Sequence, residues 1–140
     1  MRLWHKDIIP YLPKSQLLAQ WRELNSIFKK QDNHILINYI YTYDKTELEI
    51  YTQLVIREME TRVIKINKWE NYFNYFETSY APNFKCLISV TADCFVNEHN
   101  DFYLLVCYYN LAEKFSRGQK DYTLELFKKL QDFMKERGLI

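Results

Sequence analysis

Apolar residues in this chain recur mostly at the three-to-four spacing of helices rather than the alternation of strands. Pro13 disfavours helix at Leu12, and Ser15 just beyond it can cap a helix in which Leu17, Leu18, Trp21, Leu24 and Phe28 share one face as far as Lys30. Asp44, with Glu47 three residues on in capping-box spacing, opens a second helix, whose face is Leu48, Tyr51, Leu54, Val55 and Met59 and which ends near Arg62. A third begins at Asn100 or Asp101, carries Leu104, Leu105, Tyr108, Leu111 and Phe115, and stops before Gly118. A fourth starts at Asp121, carries Leu124, Phe127, Leu130 and Phe133 or Met134, and stops at Gly138. The stretches 35–43 and 85–96 are β-branched and aromatic and read equally as short strand or buried helix. Between them, Trp69, Tyr72, Phe73, Tyr75, Phe76 and Tyr80 are expected chiefly as core, with Trp69 or Tyr72 able to stack on an unpaired base if nucleic acid is bound. The pattern predicts a mainly α fold over residues 1–140: a single compact helical domain of about four to five helices, with room for a short strand pair.

Composition narrows the function classes. With 140 residues, 48% of them hydrophobic, the chain can fill one core. No run of 18 apolar residues escapes a charge, and the opening MRLWHKD is charged where a leader peptide would be apolar, so a soluble, cytoplasmic protein with no membrane partner is expected. Two glycines are too few for a Gly-rich phosphate loop, which argues against a nucleotide cofactor. Cys86, Cys94 and Cys107 form no C-x-x-C pair and read as reduced core residues. His5, His34 and His99 are too scattered to predict a metal site.

The net charge of +1 conceals an uneven distribution. Residues 1–30 hold six basic against two acidic residues, residues 31–110 six against eleven, and residues 111–140 seven against five. A polyanion should therefore meet the N-terminal end first. On the first helix, with Leu17 at zero and about 100° per residue, Arg22, Ser26 and Lys29 fall near 120–180° and Ala19, Glu23 and Lys30 near 200–240°. Small Ala19 and Ser26 leave space beside a carboxylate and an arginine, which is either a ligand site or a solvated face of a core helix.

At these residues the chain resembles a family. The run Leu17-Leu18-Ala19-Gln20-Trp21-Arg22-Glu23-Leu24, followed by Ile27-Phe28, resembles the first catalytic helix of the endonuclease V-type pyrimidine-dimer DNA glycosylases, with its pattern L-(L/M)-A/G-(E/Q)-x-R-E-L. Met1-Arg2-Leu3-Trp4, Tyr11-Leu12 and Gln16 are similar to the start of the family's cellular members. His34-x-x-Ile37-x-Tyr39-Ile40-Tyr41 resembles their H-x-x-V-x-Y-V-F segment, and Glu98-His99-Asn100-Asp101 with Tyr103-Leu104 resembles a terminal E-H-N-D-x-Y-L helix.

The resemblance implies a DNA repair N-glycosylase with AP lyase activity on damaged double-stranded DNA, working as a monomer without metal or other cofactor. In that family the terminal amine attacks the sugar, which would be the Met1 amine here, and an imine permits strand cleavage. An α-amino group, with a reference pKa of about 7.7–8.0, is partly neutral at physiological pH and so is already nucleophilic. Glu23 matches the catalytic carboxylate, and Arg22 the DNA-contacting arginine. Arg2, Lys29, Lys30 and His34 complete the expected DNA contacts. Asn25-Ser26 stands where the family has a Pro-Arg pair, removing one cation that Lys29 and Lys30 partly replace. The competing expectation is a non-catalytic helical domain that keeps the fold and binds nucleic acid or protein.

Overall fold

The computed structural model describes residues 2–82 and 93–140. Among them the regular structure is entirely helical: α1 Lys14–Lys29, α2 Lys45–Thr61, α3 Trp69–Phe76, α4 Asp101–Ser116 and α5 Leu124–Glu136, with 3-10 turns at Lys6–Tyr11 and Asn38–Thr42. The chain is a compact, mainly α fold. The stretch 35–43 forms turns and the second 3-10 segment, and no strand occurs among the described residues. Most of the other ambiguous stretch, with Cys86, lies outside them. None of the described helices is long and apolar enough to cross a membrane.

Helix ends show where local chemistry decides and where it is overruled. Asn100 caps α4 through the Tyr103 N–H, and α4 and α5 run out before Gly118 and Gly138, whose φ values of +80° and +77° favour glycine. Asp44 caps α2 through the Thr46 N–H, but Glu47 does not complete a capping box; its carboxylate instead accepts the Phe95 N–H at 2.9 Å. Ser15 does not cap α1, which starts after Pro13. Its N–H donates to Asp121 Oδ2 at 2.6 Å, so a carboxylate 106 residues away serves the positive end of this helix. Asp121 is thereby taken from α5, whose cap is Thr123.

The core surrounds the N-terminal segment. Leu3, Trp4, His5, Ile8 and Ile9 are buried, and the first 3-10 turn packs on α2, α4 and α5. Arg62 at the end of α2 donates to the Pro10 and Leu12 carbonyls, and Arg137 beyond α5 pairs with Asp7 and Asp101. On its other side, α1 packs against α2 and α3. Trp21 meets Trp69 edge-on at 5.6 Å, and Phe28 is surrounded by Tyr72, Tyr75 and Phe76. As far as Phe76 the aromatic stretch is therefore chiefly packing for α1, with Tyr72 fully in the core, whereas Tyr80, also expected as core, is 75% exposed.

Candidate active site and DNA interface

Burial on α1 is rotated relative to the expected apolar face. Gln20, Asn25 and Ile27 are buried with Leu17, Trp21, Leu24 and Phe28, whereas Leu18 is only half-buried. Glu23 sits at the edge of this face, half-buried, and burial pushes its carboxyl above the usual range against the pull of the Arg22 charge and a hydrogen bond from Gln20. Gln20 Nε2 donates to Glu23 Oε2 at 3.1 Å and to the Arg2 carbonyl at 3.3 Å. One nitrogen thus brings the acid and the start of the chain within two hydrogen-bond lengths of each other.

The segment leading to that point has no regular secondary structure, so side chains satisfy its backbone. The Leu3 carbonyl accepts from the Tyr103 hydroxyl, the Trp4 N–H donates to Gln20 Oε1, and the Trp4 carbonyl faces the Tyr51 hydroxyl at 2.7 Å. The His5 N–H meets Cys107 Sγ at 3.4 Å, and the Lys6 N–H donates to His99 Nδ1 at 3.0 Å. Because His99 Nδ1 accepts a backbone proton, its Nε2 carries the hydrogen, which reaches the Tyr39 hydroxyl at 2.7 Å. His5 follows the same logic: its Nδ1 accepts the Asp7 N–H, and its Nε2 donates to the His99 carbonyl at 2.9 Å. Burial holds both rings neutral, with pKa values down to about 4 for His5 and about 3 for His99. The 3.9 Å separation of His5 from Asp7 is therefore no ion pair.

Outside this strapped segment lies a cationic surface. A cleft of about 410 Å³ is lined by Leu18, Trp21 and Met59 and rimmed by Arg22, Lys29, Lys65 and Lys68, so the space above Ser26 is real but opens toward Arg22 rather than Glu23. A second cleft, beyond Lys29, is bordered by Lys30, Tyr41, Tyr43, Lys45 and Tyr75. None of Arg22, Lys29, Lys30, Lys65 and Lys68 makes an ion pair among the described residues. The loop ahead of α3 brings in the last two, with Lys68 in the left-handed region at φ 61°.

The expected site residues thus separate. Arg22 and Lys29 are exposed on α1 and line one cleft, Lys30 is exposed just beyond its end, and Glu23 is beside the strapped segment. Arg2 is half-buried, its charge beside Tyr103 and Cys107 rather than on the open rim. His34 is exposed in the loop after α1, its Nδ1 accepting the Leu36 N–H. Met1 lies outside the described residues. Among those described, no group of three or more His, Cys, Asp or Glu residues could hold a metal ion. Sequence reading missed Gln20, Tyr51, Tyr103 and the His99 role, and also Lys65 and Lys68, for which the spacing K-x-x-K before Trp69 was the available signal.

A family model described as pyrimidine dimer DNA glycosylase matches residues 1–71, just over half of the chain. The chain belongs to this glycosylase family. The match takes in Arg22, Glu23, Gln20, Tyr51 and the three lysines of the cleft rim, while His99, Tyr103 and Cys107, which also hold the segment, lie beyond it. Neither a search of curated proteins nor one of solved structures finds a match.

Proposed function

We propose that the chain is a DNA N-glycosylase with AP lyase activity on pyrimidine-dimer DNA, in which the Met1 amine is the nucleophile and Glu23 its electrostatic and proton-transfer partner. The observation that carries this reading is the Gln20 amide bridging the Arg2 backbone and the Glu23 carboxylate. A nucleophile one residue before Arg2 and a half-buried acid joined to Arg2 through one side chain form a pair suited to attack on an anomeric carbon.

In the proposed reaction the neutral amine forms a bond to C1′ and the bond from C1′ to the base breaks, the base leaving with the electron pair and taking up a proton. The ring opens to an imine, which activates C2′; loss of a C2′ proton expels the 3′ phosphate. Glu23, ionised, stabilises the cationic sugar and imine and relays the C2′ proton. Arg22, Lys29 and Lys30 hold phosphates, joined by Lys65 and Lys68 across the cleft, while Arg2 and His34 contact the DNA away from it. The protein works as a monomer in the cytoplasm.

The test is cleavage of a duplex carrying one pyrimidine dimer, under single-turnover conditions. The wild-type protein should cut at the lesion, and Glu23→Gln should bind the duplex equally while losing turnover. No cutting of dimer-containing DNA, with cutting of abasic DNA retained, would remove the lesion assignment and leave the lyase chemistry.

A further inference from the structure

Gln20, which joins the two parts of this site, is not itself a group that reacts. Its side chain has no exposed surface, yet a primary amide has two donor hydrogens and an acceptor oxygen whose burial is costly unless they are paired. All are paired here. The Trp4 N–H can only donate, so it fixes the amide oxygen on its side at 2.8 Å, where the Tyr51 hydroxyl also lies at 2.9 Å. The amide nitrogen is thereby turned toward two acceptors, the Arg2 carbonyl and Glu23 Oε2. Tyr51, fully buried on α2, shares its one hydroxyl proton between Gln20 and the Trp4 carbonyl, so the clamp is anchored on a second helix.

A residue needed only to fill this part of the core would leave no polar atoms to satisfy. One needed only to hold the N-terminal segment would have no use for a bond to Glu23. Gln20 does both from a single amide plane, and rotating that plane would break four contacts together. We propose that Gln20 is a positioning residue for the reaction, its amide fixing the Glu23 carboxylate relative to the backbone of the chain's first residues, with Tyr51 as its anchor. The inference rests on the terminal-amine reading above. Chemically the clamp suits that reading, because an amide N–H steadies a carboxylate without neutralising it, as a lysine or arginine in the same place would.

The experiment separates chemistry from binding. Borohydride trapping of the protein on a duplex with one abasic site gives the rate of imine formation at saturating DNA, and the same duplex with a tetrahydrofuran analogue, which forms no imine, gives the Kd. Gln20→Met keeps length and bulk without the bonds. Gln20→Glu keeps an acceptor for Trp4 and Tyr51 but turns an oxygen against Arg2 O and Glu23. Both should slow trapping by about tenfold to a hundredfold, the cost of a misplaced reacting pair, with Kd changed less than about twofold. Tyr51→Phe, which loosens the anchor alone, should slow trapping less, by about threefold.

A folded Gln20 variant that traps at the wild-type rate overturns the proposal, as does an equal loss in trapping and binding. If neither Gln20 variant folds, Tyr51→Phe decides: slower trapping at unchanged Kd supports the clamp, and a wild-type rate overturns it. A wild-type protein that traps no DNA overturns the terminal-amine reading and the clamp with it, a result distinct from any failure confined to the variants.

Discussion

Residues 2–6 and the cations along and beside α1 stand under opposite physical regimes. The first is buried at Leu3, Trp4 and His5, half-buried at its two ends, and hydrogen-bonded by side chains drawn from α1, α2, α4 and the loop before α4. The second is a set of exposed cations, Arg22, Lys29, Lys30, Lys65 and Lys68, without ion-pair partners among the described residues. Chemistry that depends on sub-ångström placement belongs in the first setting, whereas phosphate attraction needs only charge of the right sign nearby. The two sets should therefore fail in distinct ways: changes in the segment should alter rate and stability, and changes on the rim should alter affinity and its dependence on salt.

The largest expected effect is at Glu23. Glu23→Gln should lower turnover by about 10²–10⁴-fold with DNA affinity retained. Its effect on stability should have the opposite sign. Burial holds the Glu23 carboxyl above its ordinary range, so the folded protein binds that proton more tightly than the unfolded chain does. Its contribution favours folding at low pH and is lost as pH rises through the folded value. At neutral pH the substitution should therefore raise Tm, readable by calorimetry; a lower Tm would mean that Glu23 is structural.

Trp21→Ala comes next, because Trp21 is 6% exposed, packs on Trp69, and donates its indole N–H to the Asn67 carbonyl at 3.0 Å. The expected cost is about 3–5 kcal/mol by urea denaturation, with one wall of the cationic cleft removed as well. The strapped segment should also make the fold sensitive to acid. His5 and His99 hold folded pKa values near 4 and 3, below their ordinary 6.5, so their contribution is whole above 6.5 and drains as pH falls toward those values. Urea midpoints measured from pH 7 to pH 4 should fall, and a flat profile would contradict neutral, buried rings.

Smaller effects belong to the rim. Arg22→Gln, Lys65→Gln and Lys68→Gln should each weaken DNA binding regardless of sequence and reduce the slope of log K against log salt by about 0.9 for each phosphate no longer neutralised. Affinity that stays unchanged at low salt would take that residue out of the interface.

What was legible in the sequence follows from how far apart the deciding residues lie. Asp44, Asn100, Gly118 and Gly138 act on their own helices, and each marked an end that the fold keeps. Arg22 and Glu23 could be placed because helical spacing fixes which way neighbouring residues point. The start of α1 could not be read so well, since Asp121 serves it from 106 residues away. Nor could the straps, because His99 and Tyr103 meet the first residues across separations of 93 and 100. Gln20 carried a local signal, a polar side chain bordering an apolar face, but its four partners are invisible without the fold.

The terminal-amine mechanism itself is tested most directly by where the protein attaches to DNA. Peptide mapping of the borohydride-trapped adduct on an abasic duplex, with the mature N-terminus read in the same spectrum, should place the whole adduct on the amine of Met1. An adduct on an internal lysine would contradict the mechanism, and no adduct at all would leave a helical domain that binds without reacting.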